Sequence, residues 1–308
     1  MTHLPSLTAL RCFDASARHA SFTKAAAEVH LTQGGVSHQV IALEAMLGAP
    51  LFVRRRAGLQ LTVAGQAYWR EISPALRQIE RATQDIATHK GLGGALNLTV
   101  ASSFGTLWLI PRLGRFVQAH PEIRLNLSTH VGPVDYARTP HDAAIEYCSG
   151  AAPGLHAQLI CPLVLRAYAS PALLAAHGLR MRSGRALSQA EMRRLLVAAP
   201  LIRHTTEPQG WPLWLATTGY ADGMSAAHLN SGPQYELVSM ALHGAIASQG
   251  VALLPDWAAG GALAAGQLLL LSDRSAQAER GYHLRCPEWK ADLPPVRSFS
   301  EWLRTEAA

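Results

Sequence analysis

The sequence is poor in cysteine, in aromatic residues and in charge. Its 308 residues include 4 cysteines, 6% aromatic and 16% charged residues, against 49% hydrophobic residues. The cysteines form no CxxC pair and match no zinc spacing, so we expect reduced structural thiols, with a Cys148–Cys161 redox pair as the alternative. The length predicts about two domains, or three with one small, and the hydrophobic content argues against long disorder.

Long apolar runs and targeting segments are also missing. No run approaches the roughly 18 to 20 apolar residues that a membrane-spanning helix needs. The first 20 residues lack a basic region followed by an unbroken apolar stretch, so they do not resemble a secretory signal. We therefore expect a cytoplasmic protein that has no membrane partner.

Motifs of known catalytic sites are almost absent. The sequence has no GxSxG, GxxxxGK[ST], HExxH or GxGxxG motif, and its 14 histidines show no metal-ligand spacing. Residues 21–24 match SxxK, the nucleophile motif of penicillin-binding enzymes, but no KTG or SDN motif follows. We interpret Ser21 as a helix cap and expect no enzyme activity, metal or cofactor; an SxxK hydrolase is the alternative.

Positive charge is concentrated near the N-terminus. The formal net charge is +6, and residues 1–90 hold 10 Lys and Arg against 6 Asp and Glu, whereas the rest hold 17 against 15. This excess favours a polyanionic partner for the first third of the chain. A bias towards solubility would give the same numbers.

The first 90 residues are predicted to be helical with one interruption. Ser21 and Thr32 are typical N-caps, and they predict a helix FTKAAAEVH and a third helix that ends at Leu47 before Gly48. Two short helices joined by a tight turn and braced by a preceding helix form a helix-turn-helix. The predicted buried faces are Leu4, Leu7, Leu10, Phe13 and Ala17 in the first helix, and Val36, Val40, Leu43 and Leu47 in the third.

A hairpin and a long helix follow. LFVRRRAGLQLT predicts two short strands, the wing of a winged helix, carrying Arg54, Arg55 and Arg56. Thr62 can cap a helix from about residue 63 to 90, bent by Pro74 and ended by GLGG at 91–94. Its apolar seam of roughly heptad type needs a partner, most simply a second copy of the chain. The seam consists of Trp69, Ile72, Leu76, Ile79, Thr83 and Ile86.

The third helix is the candidate recognition helix. Residues at the front of such a helix reach base edges in the major groove. Gln33 suits adenine, while Ser37 and His38 can reach bases or phosphates. Two glycines at a helix start lower its stability, which close approach to DNA would explain; a poorly formed, exposed helix start is the alternative. The predicted DNA-binding residues are Thr23, Lys24, Thr32, Gln33, Gly34, Gly35, Ser37, His38, Arg54, Arg55 and Arg56.

From residue 95 the pattern changes to strands alternating with helices, which predicts an α/β domain. Its length favours two subdomains with a ligand cleft between them, connected by crossing strands near 161–166 and 265–268. The predicted strands are 95–101, 122–129, 142–147, 158–168, 200–204, 226–230, 250–254, 267–271 and 280–285. The predicted helices are 104–119, 188–196, 211–218, 233–248 and 294–305.

Polar residues at the ends of these strands are the candidate ligand contacts. Ligands in α/β folds usually bind at the carboxyl ends of strands, and free N–H groups at a helix start favour an anionic group. Taken singly, each of these residues is better interpreted as a helix cap or a loop hydroxyl, and only as a set around one cleft do they indicate ligand contacts. The predicted effector-binding residues are Ser102, Ser103, Thr129, His130, His204 and Tyr235, the last near a helix predicted to begin at Pro233.

Several segments together resemble the LysR-type transcriptional regulators. SFTKAAAEVHLTQGGVSHQVIALE, PLFVRR and LTVAG are similar to the family's winged helix-turn-helix. WLIPRLGRFVQAHPEIRLNLST, WPLWLATTGY and ASQGVALLP are similar to the effector domain of the subgroup containing the glycine-cleavage and β-lactamase activators. The resemblance implies a DNA-binding domain (1–62), a linker helix (63–91) and a periplasmic-binding-protein-like α/β domain (92–308). Its subdomains would comprise 92–163 with 267–308, and 164–266.

The resemblance also implies a function. It describes a homodimer or homotetramer that binds promoter DNA through Gln33, Ser37, His38 and the wing arginines, with RNA polymerase as a further partner. A small-molecule co-inducer of unknown identity would bind between the subdomains, with Ser102, Ser103, Thr129 and His204 at the matching positions. Two departures are His38, where many members have arginine, and the proline before His141. The alternative is a ligand-independent DNA-binding protein whose α/β domain serves only oligomerisation.

Overall fold

The computed structural model describes residues 4–55, 58–88, 94–136, 139–181 and 186–307. The chain divides into two compact units, residues 1–90 and 91–308. Each unit contains its own cluster of buried apolar side chains.

The first unit is a winged helix-turn-helix followed by a long helix. The side chains of Ser21 and Thr32 accept hydrogen bonds from the backbone N–H three residues further on, which confirms both predicted caps. Thr62 caps the long helix in the same way, through the N–H of Gly65 at 2.9 Å. The elements are α1 (Leu7–His19), α2 (Phe22–Val29), α3 (Gln33–Leu47), β1 (Phe52–Arg55), β2 (Gly58–Leu61) and α4 (Val63–Thr88).

The buried face of α1 differs from the prediction. Leu4 precedes the helix and is 89% exposed, and Leu7 is 49% exposed. Because α1 packs against both α2 and α3, its buried face is formed largely by small side chains that allow close approach. In α3, Leu47 is exposed at the helix end. The buried residues of α1 are Ala9, Cys12, Phe13, Ala15 and Ser16, and those of α3 are Val36, Val40 and Leu43.

Helix α4 is anchored to the first unit near its start and exposes part of its apolar seam further on. The Trp69 indole donates a hydrogen bond to Asp14 of α1 (2.9 Å) and packs against the core. Pro74 lies inside the helix, as predicted. Ile79 and Thr83 are exposed, while the side chain of Ile86 lies outside the described part of the chain.

The second unit is built on one long sheet with helices against it. The strand order is β4-β3-β5-β11-β6-β9-β7-β8, and β10 pairs with β6. The strands are β3 (Gly94–Ala101), β4 (Ile123–His130), β5 (Ala143–Cys148), β6 (Leu155–Ala169), β7 (Leu201–His204), β8 (Gln234–Tyr235), β9 (Val251–Leu254), β10 (Leu269–Leu270) and β11 (Ala276–Pro287). The α-helices are α5 (Ser102–Phe104), α6 (Ile110–Ala119), α7 (Pro171–Ala176), α8 (Gln189–Ala198), α9 (Gly210–Thr218), α10 (Ala226–Leu229), α11 (Val238–Ile246), α12 (Asp256–Ala264) and α13 (Pro294–Ala307). A π-helical turn (Gly105–Leu109) joins α5 to α6, and a 3-10 turn (Glu288–Lys290) precedes α13.

The strand directions make the two halves of this sheet face each other. β3, β4 and β5 are mutually parallel, and both β5 and β6 run antiparallel to β11, so all four point the same way. β9 runs antiparallel to the last part of β6 and parallel to β7, which is parallel to β8. The carboxyl ends of β3–β5 therefore point towards those of β7–β9, which is where α/β folds bind ligands.

Two predictions in this unit are wrong. Residues 226–229 form α10 rather than a strand, and the segment after Pro233 starts with β8, so α11 begins only at Val238. The apolar stretch at 226–229 follows the Ser225 cap, which favours the helix. Helices α7 and α12 were not predicted.

The crossing segments are predicted only in part. β6 runs through the predicted crossing at 161–166, pairing first with β11 and then with β9. The return crossing lies after β10, between residues 271 and 276, rather than at 265–268. A short pairing of β10 with β6 keeps residues 269–270 in the second half of the sheet.

Candidate functional site: a recognition helix and an effector cleft

The candidate recognition helix α3 presents a polar surface at its start. Gln33, Gly34 and His38 are exposed, and Ser37 is half-buried. On the preceding helix, Thr23 and Lys24 are exposed in the first turn. The N–H of Lys24 donates to the Ser21 hydroxyl (3.3 Å), so Ser21 acts as the cap of α2. The predicted residues of both helices thus lie in the first two turns of α2 and α3, and the N–H groups of a first helical turn favour phosphate.

The wing is fixed to α3 by hydrogen bonds at Leu51 and Phe52, a contact that we call the corner at Leu51. Glu44 of α3 accepts hydrogen bonds from the N–H groups of Leu51 (2.6 Å) and Phe52 (3.0 Å). The Leu51 carbonyl accepts from the N–H of Thr62 at 2.9 Å. β1 and β2 pair in register from Phe52↔Leu61 to Arg55↔Gly58. The side chains of Arg54 and Arg55, and all of Arg56, lie outside the described part of the chain.

An ion-pair network connects α1 and α2. Arg18 pairs with Asp14 of its own helix and with both carboxylate oxygens of Glu28 in α2. His19 also contacts Glu28 at 2.7 Å. The hydrogen bond from Arg18 is the main cause that lowers the pKa of Glu28 to about 2. Both acids are therefore engaged internally rather than left unpaired.

In the second unit, Ser103 joins the two halves of the sheet. Its hydroxyl accepts a hydrogen bond from the N–H of Ser239 (3.0 Å) and donates to the Ser239 hydroxyl (3.1 Å). Ser103 lies in α5, directly after β3, and Ser239 lies in the first turn of α11. Ser103 thereby accepts a hydrogen bond from the first turn of a helix in the opposite half. Ser102 is half-buried beside it.

The other predicted contacts lie at the ends of different strands. Thr129 is exposed and His130 half-buried at the end of β4; His130 Nδ1 lies 3.1 Å from the Thr99 hydroxyl. Burial lowers the pKa of His130, and nearby His141 adds to the effect. Tyr235 lies in β8, where its hydroxyl bonds to Gln249. These side chains are thus not gathered in one place.

A second link across the cleft was not predicted from the sequence. The hydroxyl of Tyr147, near the end of β5, donates to Glu207, which follows β7. Arg280 of β11 lies over the Tyr147 ring at 4.4 Å and pairs with Glu207 at 3.0 Å. Burial, with the hydrogen bond to Glu207, raises the pKa of Tyr147 and keeps the phenol protonated. The rule of polar residues at strand ends would have identified Tyr147, since it lies next to the end of its strand.

A cavity of about 320 Å³ opens beside this link. It is bounded by the end of β7, the start of α9, α10 and β8. Of the six predicted effector contacts, His204 lines it and the other five do not. Arg203, one residue earlier in β7, also lines it and was missed, although a charged residue in the apolar strand LIRH gives the same signal as His204.

His204 is uncharged near neutral pH. Burial lowers the pKa of its imidazole to about 4, although the Leu253 backbone and Glu207 oppose the shift. Its Nδ1 is buried and has no hydrogen-bond partner among the described residues. Of these two residues that line the cavity, Arg203 therefore carries a positive charge and His204 is neutral and polar.

The two units match the two domains found in one family of regulators. Residues 7–66 match the bacterial regulatory helix-turn-helix proteins of the lysR family, and residues 89–308 match the LysR substrate binding domain. The chain belongs to the LysR family. As a LysR-family protein it is a transcriptional regulator with a helix-turn-helix DNA-binding domain and an effector-binding domain.

Relatives of this LysR-family chain include the predicted subgroup. It is 32% identical over 305 residues to the glycine cleavage system transcriptional activator of Escherichia coli (strain K12), covering 99% of this chain and 95% of the relative. It is 33% identical over 306 residues to the HTH-type transcriptional activator AmpR of Citrobacter koseri, covering 98% of each. The AmpR effector binding domain from Citrobacter freundii aligns with a TM-score of 0.59 at 25% identity, covering 69% of this chain and 98% of that domain.

Cys148 and Cys161 are too far apart for an intramolecular disulfide. Cys148 of β5 pairs with Gly281 and Cys161 of β6 with Tyr282, so β11 lies between them. Two strand spacings amount to roughly 9–10 Å, beyond the roughly 7 Å between Cα atoms that a disulfide allows. Burial also raises the pKa of Cys161 to about 12, which disfavours its thiolate. The redox pair considered from the sequence is therefore wrong for this LysR-family fold.

In the described part of the chain, the helices are all too short or too polar to cross a membrane.

The half-buried imidazole of His204 is expected to make the stability of this LysR-family protein depend on pH. The pKa of His204 falls from 6.5 in the unfolded chain to about 4 in the folded one. Between these values the unfolded chain binds more protons, so the free energy of unfolding decreases as the pH falls, by on the order of 2–3 kcal/mol. We expect the free energy of unfolding, measured with urea, to decrease less between about pH 7 and about pH 4.5 in His204→Gln than in the wild type.

Exposed His156 provides the matched control. His156→Gln should retain the wild-type loss of stability on acidification. If His204→Gln and the wild type lose equal stability, another group carries the acid sensitivity.

Proposed function

We propose that this protein binds promoter DNA as a homodimer or homotetramer, and that a small-molecule effector in the cleft of the second unit modulates this binding. The starts of α2 and α3 would enter or flank the major groove, with Gln33, Ser37 and His38 contacting bases and Thr23, Lys24 and Thr32 contacting phosphates. Arg54, Arg55 and Arg56 of the wing would add phosphate contacts. The domain limits predicted from the sequence belong to this proposal.

The observation that carries the DNA-binding part is the open surface at Gly34. A Cβ atom at Gly34 would meet no other atom within 4 Å, so the protein's own packing does not require glycine there. Glycine nevertheless lowers helix stability by about 1 kcal/mol relative to alanine. A surface that stays free of side chains at the start of a recognition helix fits close approach of a DNA backbone. The neighbouring Gly35 has less room, since its Cβ would lie 3.2 Å from the Thr32 hydroxyl.

The effector part rests on the cleft between the two halves of the sheet. Ser103–Ser239 and Tyr147–Glu207 are hydrogen bonds that a change in cleft closure would break or remake. A ligand can shift such an equilibrium only by binding one closure state more tightly. The named relatives are activators, so contact with RNA polymerase is part of the same proposal. The ligand-independent alternative predicts identical DNA binding with and without any metabolite.

Two variants separate base recognition from phosphate attraction. We expect Gln33→Ala to reduce discrimination between the promoter and unrelated DNA by about 1–3 kcal/mol, because a bidentate amide–base contact is lost. Arg55→Ala should instead weaken binding to every sequence and reduce the slope of log affinity against log salt by about one. Gel-shift titrations on the DNA upstream of the protein's own gene, at two salt concentrations and with competitor DNA, measure both effects.

The controls are Gln118→Ala and Arg297→Ala, which remove the same side chains from exposed positions on α6 and α13 of the second unit. Both should bind like the wild type. Equal salt slopes for Arg55→Ala and wild type would remove the wing from the interface. Binding that competitor DNA abolishes at every site tested would contradict the sequence-specific function itself.

A further inference from the structure

The cavity beside β7 contains a positive charge without a compensating acid. The Arg203 guanidinium donates to the Asn230 side chain (3.1 Å) and to the Gly232 carbonyl (3.4 Å), both uncharged acceptors. Nε of Arg203 is buried and has no hydrogen-bond partner among the described residues. A half-buried charge with an unused donor is costly unless an anion completes its surroundings.

The other charged groups at the cavity leave Arg203 as its net charge. Glu207 also lines the cavity, but it accepts from Tyr147 and pairs with Arg280. His204 is neutral, since its pKa lies at about 4. The pair formed by Glu207 and Arg280 cancels, so a ligand meets one cation at Arg203. A second carboxylate on the ligand would therefore have no cationic partner among the described residues that line the cavity.

Apolar side chains form part of the remaining lining, beside the polar Gln209, Asn230 and Gln234, and the space is small. Trp211, Pro212 and Leu229 line the cavity, and the Trp211 indole is held by a hydrogen bond to the Ile202 carbonyl (2.8 Å). The volume of about 320 Å³ lies at the lower end of the roughly 300–1,000 Å³ of small-molecule sites. Helix α9 begins at this cavity without a side-chain cap, which adds favourable dipole for an anion.

We propose that this cavity binds a compact organic acid carrying a single carboxylate, which pairs with Arg203 while its apolar body packs against Trp211, Pro212 and Leu229. The inference rests on the proposed effector function and names the chemical class of the effector. In this proposal the anchoring contact is the Arg203 guanidinium in β7, whereas the sequence had indicated the hydroxyls at the strand ends. A guanidinium can hold a carboxylate through two parallel hydrogen bonds, which gives direction as well as charge.

The test uses the full-length protein and four probes at equal ionic strength: isovalerate, isovaleramide, glutarate and inorganic phosphate. Isovaleramide has the shape of isovalerate without the charge, glutarate adds a second carboxylate, and phosphate is the other common oxyanion. We expect isovalerate to raise the melting temperature in a saturable manner, because a ligand that binds only the folded state stabilises it. The dissociation constants of the other three should be weaker by about tenfold or more.

Arg203→Gln should weaken isovalerate binding by about tenfold or more. Arg203→Lys should retain part of the binding, which guards against loss through misfolding. The control Arg193→Gln changes a half-buried arginine of α8 that pairs with Asp222, and it should bind isovalerate like the wild type. An isovalerate effect that is absent, that isovaleramide equals, or that Arg203→Gln retains overturns the inference.

Failure of this inference and failure of the proposed function give different results. Promoter gel shifts are run on the same samples without probe. A normal promoter shift with no charge-dependent isovalerate response overturns only the carboxylate site. Isovalerate binding by a protein that shifts no DNA contradicts the DNA-binding function and leaves the site standing.

Discussion

Gly65→Ala is expected to destabilise the first unit by roughly 3 kcal/mol or more, since the new side chain has no space. A Cβ at Gly65 would lie 2.1 Å from the Leu51 carbonyl oxygen, well inside van der Waals contact. The carbonyl cannot move aside easily, because it accepts the hydrogen bond of Thr62 and its residue is buried. The start of α4 must therefore move away from the corner at Leu51.

Two measurements check this expectation. Thermal unfolding should show a lower transition for the first unit, and hydrogen exchange should accelerate in residues 49–68 but not in the second unit. Gly34→Ala is the matched control, because it is also helical and its Cβ meets nothing within 4 Å; it should stabilise α3 by about 0.5–1 kcal/mol. Unchanged stability of Gly65→Ala would mean that the contact of α4 with Leu51 is looser than described.

Gly232→Ala should have a comparable effect on the second unit, again roughly 3 kcal/mol or more. A Cβ at Gly232 would lie 2.0 Å from the carbonyl oxygen of Leu201 and 2.8 Å from its nitrogen. The substitution forces β8 away from β7, where the N–H of Arg203 donates to the Pro233 carbonyl at 2.9 Å. It also displaces the Gly232 carbonyl that Arg203 contacts.

The expected result is faster hydrogen exchange in residues 200–206 and 232–236, with a weaker response to isovalerate than in the wild type. Gly114→Ala serves as control, since Gly114 lies in α6 of the same unit and its Cβ would meet no atom within 4 Å. A Gly232→Ala protein with wild-type stability and exchange would show that β8 is not held against β7 in solution.

Local features of the first unit could be predicted from the sequence because they depend on neighbouring residues. The caps Ser21, Thr32 and Thr62 each act within three residues, and all three are found as predicted. The buried face of α1 could not be predicted in the same way. Which of its apolar residues are covered depends on how α2 and α3 pack on it, and Leu4 and Leu7 remain exposed.

The candidate ligand site was predicted less well because it is assembled from distant segments. The rule for strand ends correctly placed Ser103, His130 and His204 at carboxyl ends of strands. It could not indicate that Ser103 would be used to hold Ser239, 136 residues later. Nor could it reveal the pair formed by Arg280 and Glu207, since Arg280 lies where the register of β11 against β6 is irregular.

The corner at Leu51 has a mechanical consequence for signalling. Glu44 ties the recognition helix to the backbone of Leu51 and Phe52, while Thr62 and Gly65 bring the start of α4 against the same residue. The recognition helix, the first wing strand and the start of α4 are therefore all connected through Leu51 and Phe52. A movement of α4 would therefore shift α3 and the wing together. Such a shift would change where α3 and the wing meet DNA and would leave their base preference unchanged.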